Sequence, residues 1–363
     1  MEKIKQKLTD LTAELIKIKS ITGNYQGKKE VVDFVKKQFN SQNFVIKEYC
    51  SKNLPSLVIN FSGDNNPDLV LNGHLDVVPA QREDFDPKIK GNRLYGRGSG
   101  DMKAGCAVMI EAMKYFVGRE KKPSLGLMLT TDEEIGGFNG TGYLLKKHAY
   151  RPKLAIIPDG GVDLGTVVIN EKGVLHIKLK EFGVPAHGSR PFLGKNAIER
   201  LIEKYYKIKK EIPDIKEKDW KNSMNLGIIK GGETFNKVPD YSEMELDIRF
   251  LSSKDRDEIL GKIKKITSDF EILVEAPPAA QNRNNPYIKK YKEITEKKNG
   301  KKINFQKSNG ASDSRFFSEK GVPFISTKIK CDNIHGEKEW VDTKEMVKFY
   351  NILLKYINNF KNL

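Results

Sequence analysis

At 363 residues the chain exceeds one compact core and suits two domains, and its 38% hydrophobic and 31% charged residues suit a soluble globular protein. No apolar run reaches membrane-spanning length and the N-terminus lacks a leader-type apolar region with a small-residue cleavage site, so a cytoplasmic location without a membrane partner is expected. The net charge of +16 raises nucleic acid as a partner, but only 11 of the 64 basic residues are Arg and the lysines scatter over helix faces such as "EKYYKIKKEI"; no nucleic-acid partner is expected.

The first predicted element is an amphipathic helix, with Ile4, Leu8, Leu11, Leu15 and Ile18 at helical spacing. A second helix, "GKKEVVDFVKKQFNSQ", precedes three predicted strands, "FVIKEYC", "SLVINFSG" and "DLVLNGHLD". A long helix follows from Asp101, its apolar side made by Ala104, Val108, Met109, Ala112, Met113 and Phe116. "SLGLMLTT" and "LAIIPDG" are continuous apolar runs, the pattern of strands buried on both faces. This alternation predicts an α/β fold with a mostly parallel sheet sandwiched by helices. From residue 169 the order changes to strand, helix, strand, strand, helix, strand, running from "VLHIKLKEFG" to "FEILVEAPP", which is that of a ferredoxin-like α+β module. After the connector "PPAAQNRNNP", helix and strand alternate again to the C-terminus. The expected domains are therefore 1–168 and 286–363 as one catalytic domain, with 169–285 inserted into it.

Several predicted strands of the first domain end in a histidine or a carboxylate. "LVLNGHLD" ends at His74 and Asp76, "LYGRGSGD" at Asp101, "LMLTTDEE" at Glu133 and Glu134, and "LAIIPD" at Asp159. Open α/β sheets bind ligands beyond the carboxyl ends of their strands, so these groups should converge on one crevice. Imidazole and carboxylate together suit Zn²⁺ or a similar divalent ion, and His335, after the predicted strand "PFISTKI", is the candidate second histidine. Singly, each Asp could equally be a helix cap or turn residue. Asp76, two residues after His74, is placed to hold that imidazole's other N–H, with turn capping as its alternative. Asp132 is expected to cap a turn. Cys50, Cys106 and Cys331 are odd in number and widely spaced, which argues against a disulfide framework and fits a reducing compartment. Cys331 precedes His335 by four, yet a packed thiol is the plainer reading.

In order along nearly the whole chain, "GHLDVVP", "LYGRGSGDMKAG", "TTDEEIGG", "PDGG", "GVPAHGSRP", "NKVPD", "DIRF", "GASDSRFF" and "IHGEKEW" resemble the zinc-dependent amidohydrolases and exopeptidases. That family includes succinyl-diaminopimelate desuccinylase, acetylornithine deacetylase, aminoacylase and glutamate carboxypeptidase. The resemblance implies two Zn²⁺ ions, with Co²⁺ or Mn²⁺ as substitutes, bridged by Asp101. His74 and Asp159 would complete one site, and Glu134 and His335 the other. It also implies a cis peptide after Asp101, Glu133 as general base, and His187 as an oxyanion-stabilising group, often supplied by a partner subunit. Arg249, Asn236 and Arg315 match positions that bind the substrate's carboxylate end, although Arg249 could instead form a structural ion pair.

The function this implies is release of an amino acid from an N-acyl amino acid. An exopeptidase acting on small peptides is the alternative, and a non-catalytic binding protein on the same fold a third reading. A homodimer formed through an inserted lid domain is also implied. The chain departs from the desuccinylase pattern at Asp159, where those enzymes carry Glu, and in the "GSRP" that follows His187.

Overall fold

The computed structural model describes residues 2–39, 42–216 and 218–360. Met1 of the first predicted helix and residues 40 and 41 near the end of the second lie outside that range. The chain divides into two compact units: Met1–Asn170 with Ala280–Ser308 and Ser312–Leu363, and Glu171–Ala279 with Asn309–Ala311.

The first unit is built on a mixed sheet whose centre is parallel. Leu125–Thr130, Leu69–His74, Leu154–Ile157 and Phe324–Ser326 lie side by side and run the same way. All four are buried along their length, which is why they read as unbroken apolar runs. Alternate residues serve opposite faces. Leu69, Leu71, Leu125, Leu127, Leu154 and Ile156 join one core with residues of the helices Glu2–Lys17, Ala104–Tyr115 and Thr343–Phe360, whereas Val70, Met128 and Ala155 are buried outside that core. Ala104–Tyr115 is buried on every side over its first ten residues, as its nearly continuous apolar sequence requires. One flank of the sheet is an antiparallel hairpin, Val45–Ser51 with Leu54–Asn60. Its two-residue turn places Lys52 and Asn53 at φ 49° and 64°, the left-handed pair that matches strand twist.

A smaller antiparallel sheet, Lys88–Lys90, Arg93–Tyr95, Trp340–Asp342 and Cys331–Asp332, ties the segment before Asp101 to the C-terminal motif. This corrects one expectation. "LYGRGSGD" is no strand of the main sheet: only Arg93–Tyr95 is extended, and Asp101 sits in an irregular helical turn, Ser99–Lys103. The helix expected from Asp101 starts at Ala104. The peptide bond between Asp101 and Met102 is cis.

In the second unit two strand–helix–strand halves form one antiparallel sheet, ordered Ser223–Gly231, Tyr241–Phe250, Gly173–Phe182, Phe270–Ala276. Burial alternates along the central strands. Leu175, Ile177, Leu179, Met244, Leu246 and Ile248 form a core with residues of the helices Ala197–Glu211 and Ser253–Ile266. Asn196 and Ser252 cap those helices by accepting the first free N–H groups.

Candidate metal centre

The parallel strands deliver most of the site. His74 is the last residue of Leu69–His74, Asp159 lies two residues beyond Leu154–Ile157, and Glu133 and Glu134 open a tight turn after Leu125–Thr130. Asp101 comes from the irregular turn before the buried helix, and His335 from the loop joining Cys331–Asp332 to Trp340–Asp342. The location agrees with ligand binding beyond the carboxyl ends of an open parallel sheet.

These side chains form two clusters that share one residue. His74, Asp101 and Asp159 offer donor atoms within 4.8 Å of one another, and so do Asp101, Glu134 and His335. Asp101 Oδ1 lies 3.3 Å from His74 Nε2, and its Oδ2 lies 3.2 Å from His335 Nε2. Asp159 Oδ2 is 3.8 Å from His74 Nε2, and Glu134 Oε2 is 3.2 Å from His335 Nε2. His74 is buried, while His335 is half exposed.

The chemistry of this set fits divalent cations. His74 Nδ1 donates to the Asp76 carbonyl oxygen at 3.0 Å. A carbonyl only accepts, so Nδ1 carries a proton and Nε2 is the nitrogen turned to Asp101. Nε2 and Asp101 Oδ1, 3.3 Å apart, need a shared proton or cation between them. Glu134 Oε1 is buried with no hydrogen-bond partner. With neutral imidazoles, Asp101, Asp159 and Glu134 carry three negative charges against one nearby cation, Lys328. Proton affinities answer that imbalance. Hydrogen bonds to Asp101 and Glu134 push His335 up to about 10, and burial beside the Asp101 charge raises Asp159 to about 7. Burial works against the charged form of Asp101, but Lys328 and the two imidazoles hold it well below the usual carboxylate range.

Asp76 plays a wider part than expected. Its carboxylate is 3.6 Å from His74 Nδ1, farther than its own carbonyl, and its two oxygens accept the backbone N–H groups of Glu133 and Glu134 at 3.3 and 3.2 Å. That pair of bonds fixes the turn in which the adjacent glutamates diverge. Burial raises Glu133 well above an ordinary glutamate, and the Asp159 and Asp313 charges add to this. Asp132 accepts the Asn139 N–H at 2.7 Å, a turn-capping role. Arg315 is buried and donates to the Gly136 carbonyl at 2.8 Å, closing the same turn from behind. Cys106 is a packed thiol whose S–H points at the His74 carbonyl, 3.1 Å away.

The remaining predicted residues belong to the second unit. His187 is exposed, and its Nδ1 accepts the Ser189 N–H at 3.2 Å, which leaves the ring proton on Nε2. The neighbouring Gly188 N–H donates to the Asn236 carbonyl at 2.7 Å, so the His187 and Asn236 loops adjoin. Gly188, Asn196, Thr234 and Lys237 line a cavity of about 530 Å³ beside them. Arg249 grips Asp247 through Nε and Nη2, at 2.7 and 3.0 Å.

Two site residues escaped the sequence reading. Lys328 is buried with its ammonium 3.2 Å from Asp159 Oδ1. Glu339 is buried and accepts N–H groups of Gly98, Gly100 and Asp101 at 2.9, 2.8 and 3.0 Å, and Arg97 Nη1 at 2.7 Å. Lys328 carries no local signal in a lysine-rich chain. Glu339 was legible only as part of "IHGEKEW".

Comparison with known proteins agrees with this architecture. Residues 70–359 match the model of peptidase family M20/M25/M40. An uncharacterized metallohydrolase of Methanocaldococcus jannaschii is 28% identical, covering 94% of this chain and 98% of its own. A succinyl-diaminopimelate desuccinylase of Nautilia profundicola is also 28% identical, covering 97% and 99%. Among solved structures, an M20 family metallo-carboxypeptidase of Sulfolobus solfataricus shares the fold with a TM-score of 0.80 at 19% identity, covering 97% of this chain and 98% of that one. An aminopeptidase of Bacillus cereus gives 0.79 at 20%, with the same coverage. The chain belongs to peptidase family M20/M25/M40, metal-dependent hydrolases of amide and peptide bonds.

Proposed function

We propose that the protein hydrolyses the amide bond of an N-acyl amino acid at two zinc ions, with Co²⁺ or Mn²⁺ as substitutes, and releases the free amino acid. The observation that most supports this is the Asp101 carboxylate, which turns one oxygen to each histidine cluster. In this reading His74, Asp101 and Asp159 hold one ion, and Asp101, Glu134 and His335 the other. Bound there, the ions would polarise the scissile carbonyl and acidify the attacking water. Glu133 takes the water's proton, and its raised proton affinity lets it keep that proton until the leaving amine accepts it. Asp76 holds the Glu133 turn and orients His74 through its carbonyl. His187, with its proton on Nε2, donates to the developing oxyanion from a partner subunit. Arg249, Asn236 and Arg315 are assigned to the substrate's carboxylate end, where the planar guanidinium matches a carboxylate.

A homodimer through the second unit belongs to this reading. Its support is the edge strand Ser223–Gly231, which leaves Ile228 and Ile229 exposed, and Phe235, which is fully exposed. Three free thiols fit a cytoplasmic setting. The second reading, an exopeptidase on small peptides, uses the same site; Asp159, standing where desuccinylases carry Glu, argues against a desuccinylase without separating deacylase from exopeptidase.

A panel of N-acetyl and N-succinyl amino acids and dipeptides, assayed with Zn²⁺, Co²⁺ or Mn²⁺, separates the two. Turnover confined to dipeptides would select the exopeptidase, and no turnover with metal demonstrably bound would refute both. Glu133→Gln is expected to lower kcat by at least 100-fold while bound metal per chain stays unchanged. Loss of metal together with activity would reassign Glu133 as a ligand.

A further inference from the structure

Lys328 reaches the site by strand register. Phe324–Ser326 runs parallel to Leu154–Ile157 with Ser326 opposite Ile157, and two residues beyond each strand end Lys328 meets Asp159. Past the strand ends the two segments stay paired, with one extra residue on the Asp159 side: the Thr327 N–H donates to the Ile157 carbonyl at 3.2 Å and the Gly160 N–H to the Thr327 carbonyl at 3.0 Å. The ammonium lies 3.2 Å from Asp159 Oδ1 and 3.8 Å from Asp101 Oδ1, in a side chain that is 7% exposed. The two oxygens of Asp159 thus face different partners, Oδ1 toward Lys328 and Oδ2 toward His74.

The two clusters are therefore unequal. Each holds one imidazole and two carboxylates, with Asp101 common to both. The ammonium stands against Asp159 and against Asp101 Oδ1, the oxygen turned to His74, whereas no lysine or arginine among the described residues pairs with Glu134, whose Oε1 lacks any partner. A cation hydrogen-bonded to a ligand oxygen withdraws charge from it and repels a divalent ion at the same place. Resting on the reading of both clusters as metal sites, we propose that Lys328 confines Asp159 to one oxygen toward a bound metal ion and makes the His74–Asp101–Asp159 cluster the weaker of the two. Lys328 is in this sense a positioning residue acting through Asp159.

The test is direct Zn²⁺ binding to the chelator-stripped full-length protein, by calorimetry with a competing chelator. The His335→Ala variant isolates the His74 cluster. Adding Lys328→Met, which keeps an unbranched side chain one atom shorter and removes the charge, is expected to tighten Zn²⁺ binding there by at least tenfold. Lys328→Gln should move it in the same direction and stands in if the Met variant does not fold. A purely structural ion pair would leave affinity unchanged or lower it, and that result in both variants would overturn the proposal. If wild type binds two equivalents while the lysine variants do not differ from the His335→Ala parent, only this proposal fails. If wild type binds fewer than two, the two-cluster reading fails and takes the proposal with it.

Discussion

Asp76 and Asp247 show how one carboxylate can organise charged neighbours by different means. Asp76 works through backbone N–H groups, accepting those of Glu133 and Glu134, and so fixes the turn that carries the two adjacent glutamates. Asp247 works through side chains, with His176 Nε2 at 3.3 Å and the Arg249 guanidinium on both its oxygens. Burial opposes its charged form, but the adjacent His176 imidazole and the hydrogen bonds from Arg249 outweigh that and hold it at about 2. The folded value lies below that of an unfolded Asp, ~3.9, so the stabilisation is full above that value and is lost as pH falls toward 2. Discounted for solvent screening it is worth ~1 kcal/mol. Urea midpoints of wild type and Asp247→Asn should differ at pH 6, and the gap should narrow by pH 3; a gap that widens toward acid would contradict this. The residue types at these positions were legible in sequence, but their partners were not. "DIRF" shows Asp247 and Arg249 on one side of a strand without telling whether the guanidinium binds that Asp or a substrate.

At the scale of elements, the strand ends were the readable part of the site. His74, Glu133, Glu134 and Asp159 follow continuous apolar runs, and such runs mark buried parallel strands whose carboxyl ends meet. Asp101 reaches the same place by another route. The loop that carries it is held by Glu339, whose single carboxylate accepts four donors from Arg97, Gly98, Gly100 and Asp101. Removing one partner of such a buried charge cluster costs roughly 3–5 kcal/mol. Glu339→Ala is therefore expected to lower the urea midpoint strongly and to reduce bound metal per chain, because Asp101 loses the anchor that aims it. Unchanged metal content in a folded variant would show that the helix Ala104–Tyr115 positions Asp101 without help. Nothing local in "HGEKEW" announces this staple, since it joins positions 238 to 242 residues apart.

For the whole molecule, a fold is not an activity, and the case for hydrolysis rests on the paired clusters with Glu133 beside them and on the family match over residues 70–359. The second unit is the part whose purpose the proposed dimer would explain. Ile229→Lys on its edge strand should shift sedimentation of the full chain from dimer toward monomer, because a charge on an exposed strand edge opposes pairing. If that monomer kept full activity, His187 would act within its own chain or not at all. Sequence by itself determined the α/β class and the buried strands, because periodicity is written in local spacing, and it offered the residues of the two clusters as one convergent set, their grouping being implied by the resemblance of the motifs. Only the tertiary structure decided that Asp101 arrives from an irregular turn, that Glu339 anchors it and that Lys328 stands against Asp159. Each of these depends on which distant segments lie in register, and contacts across hundreds of residues leave no pattern in the neighbours of either partner.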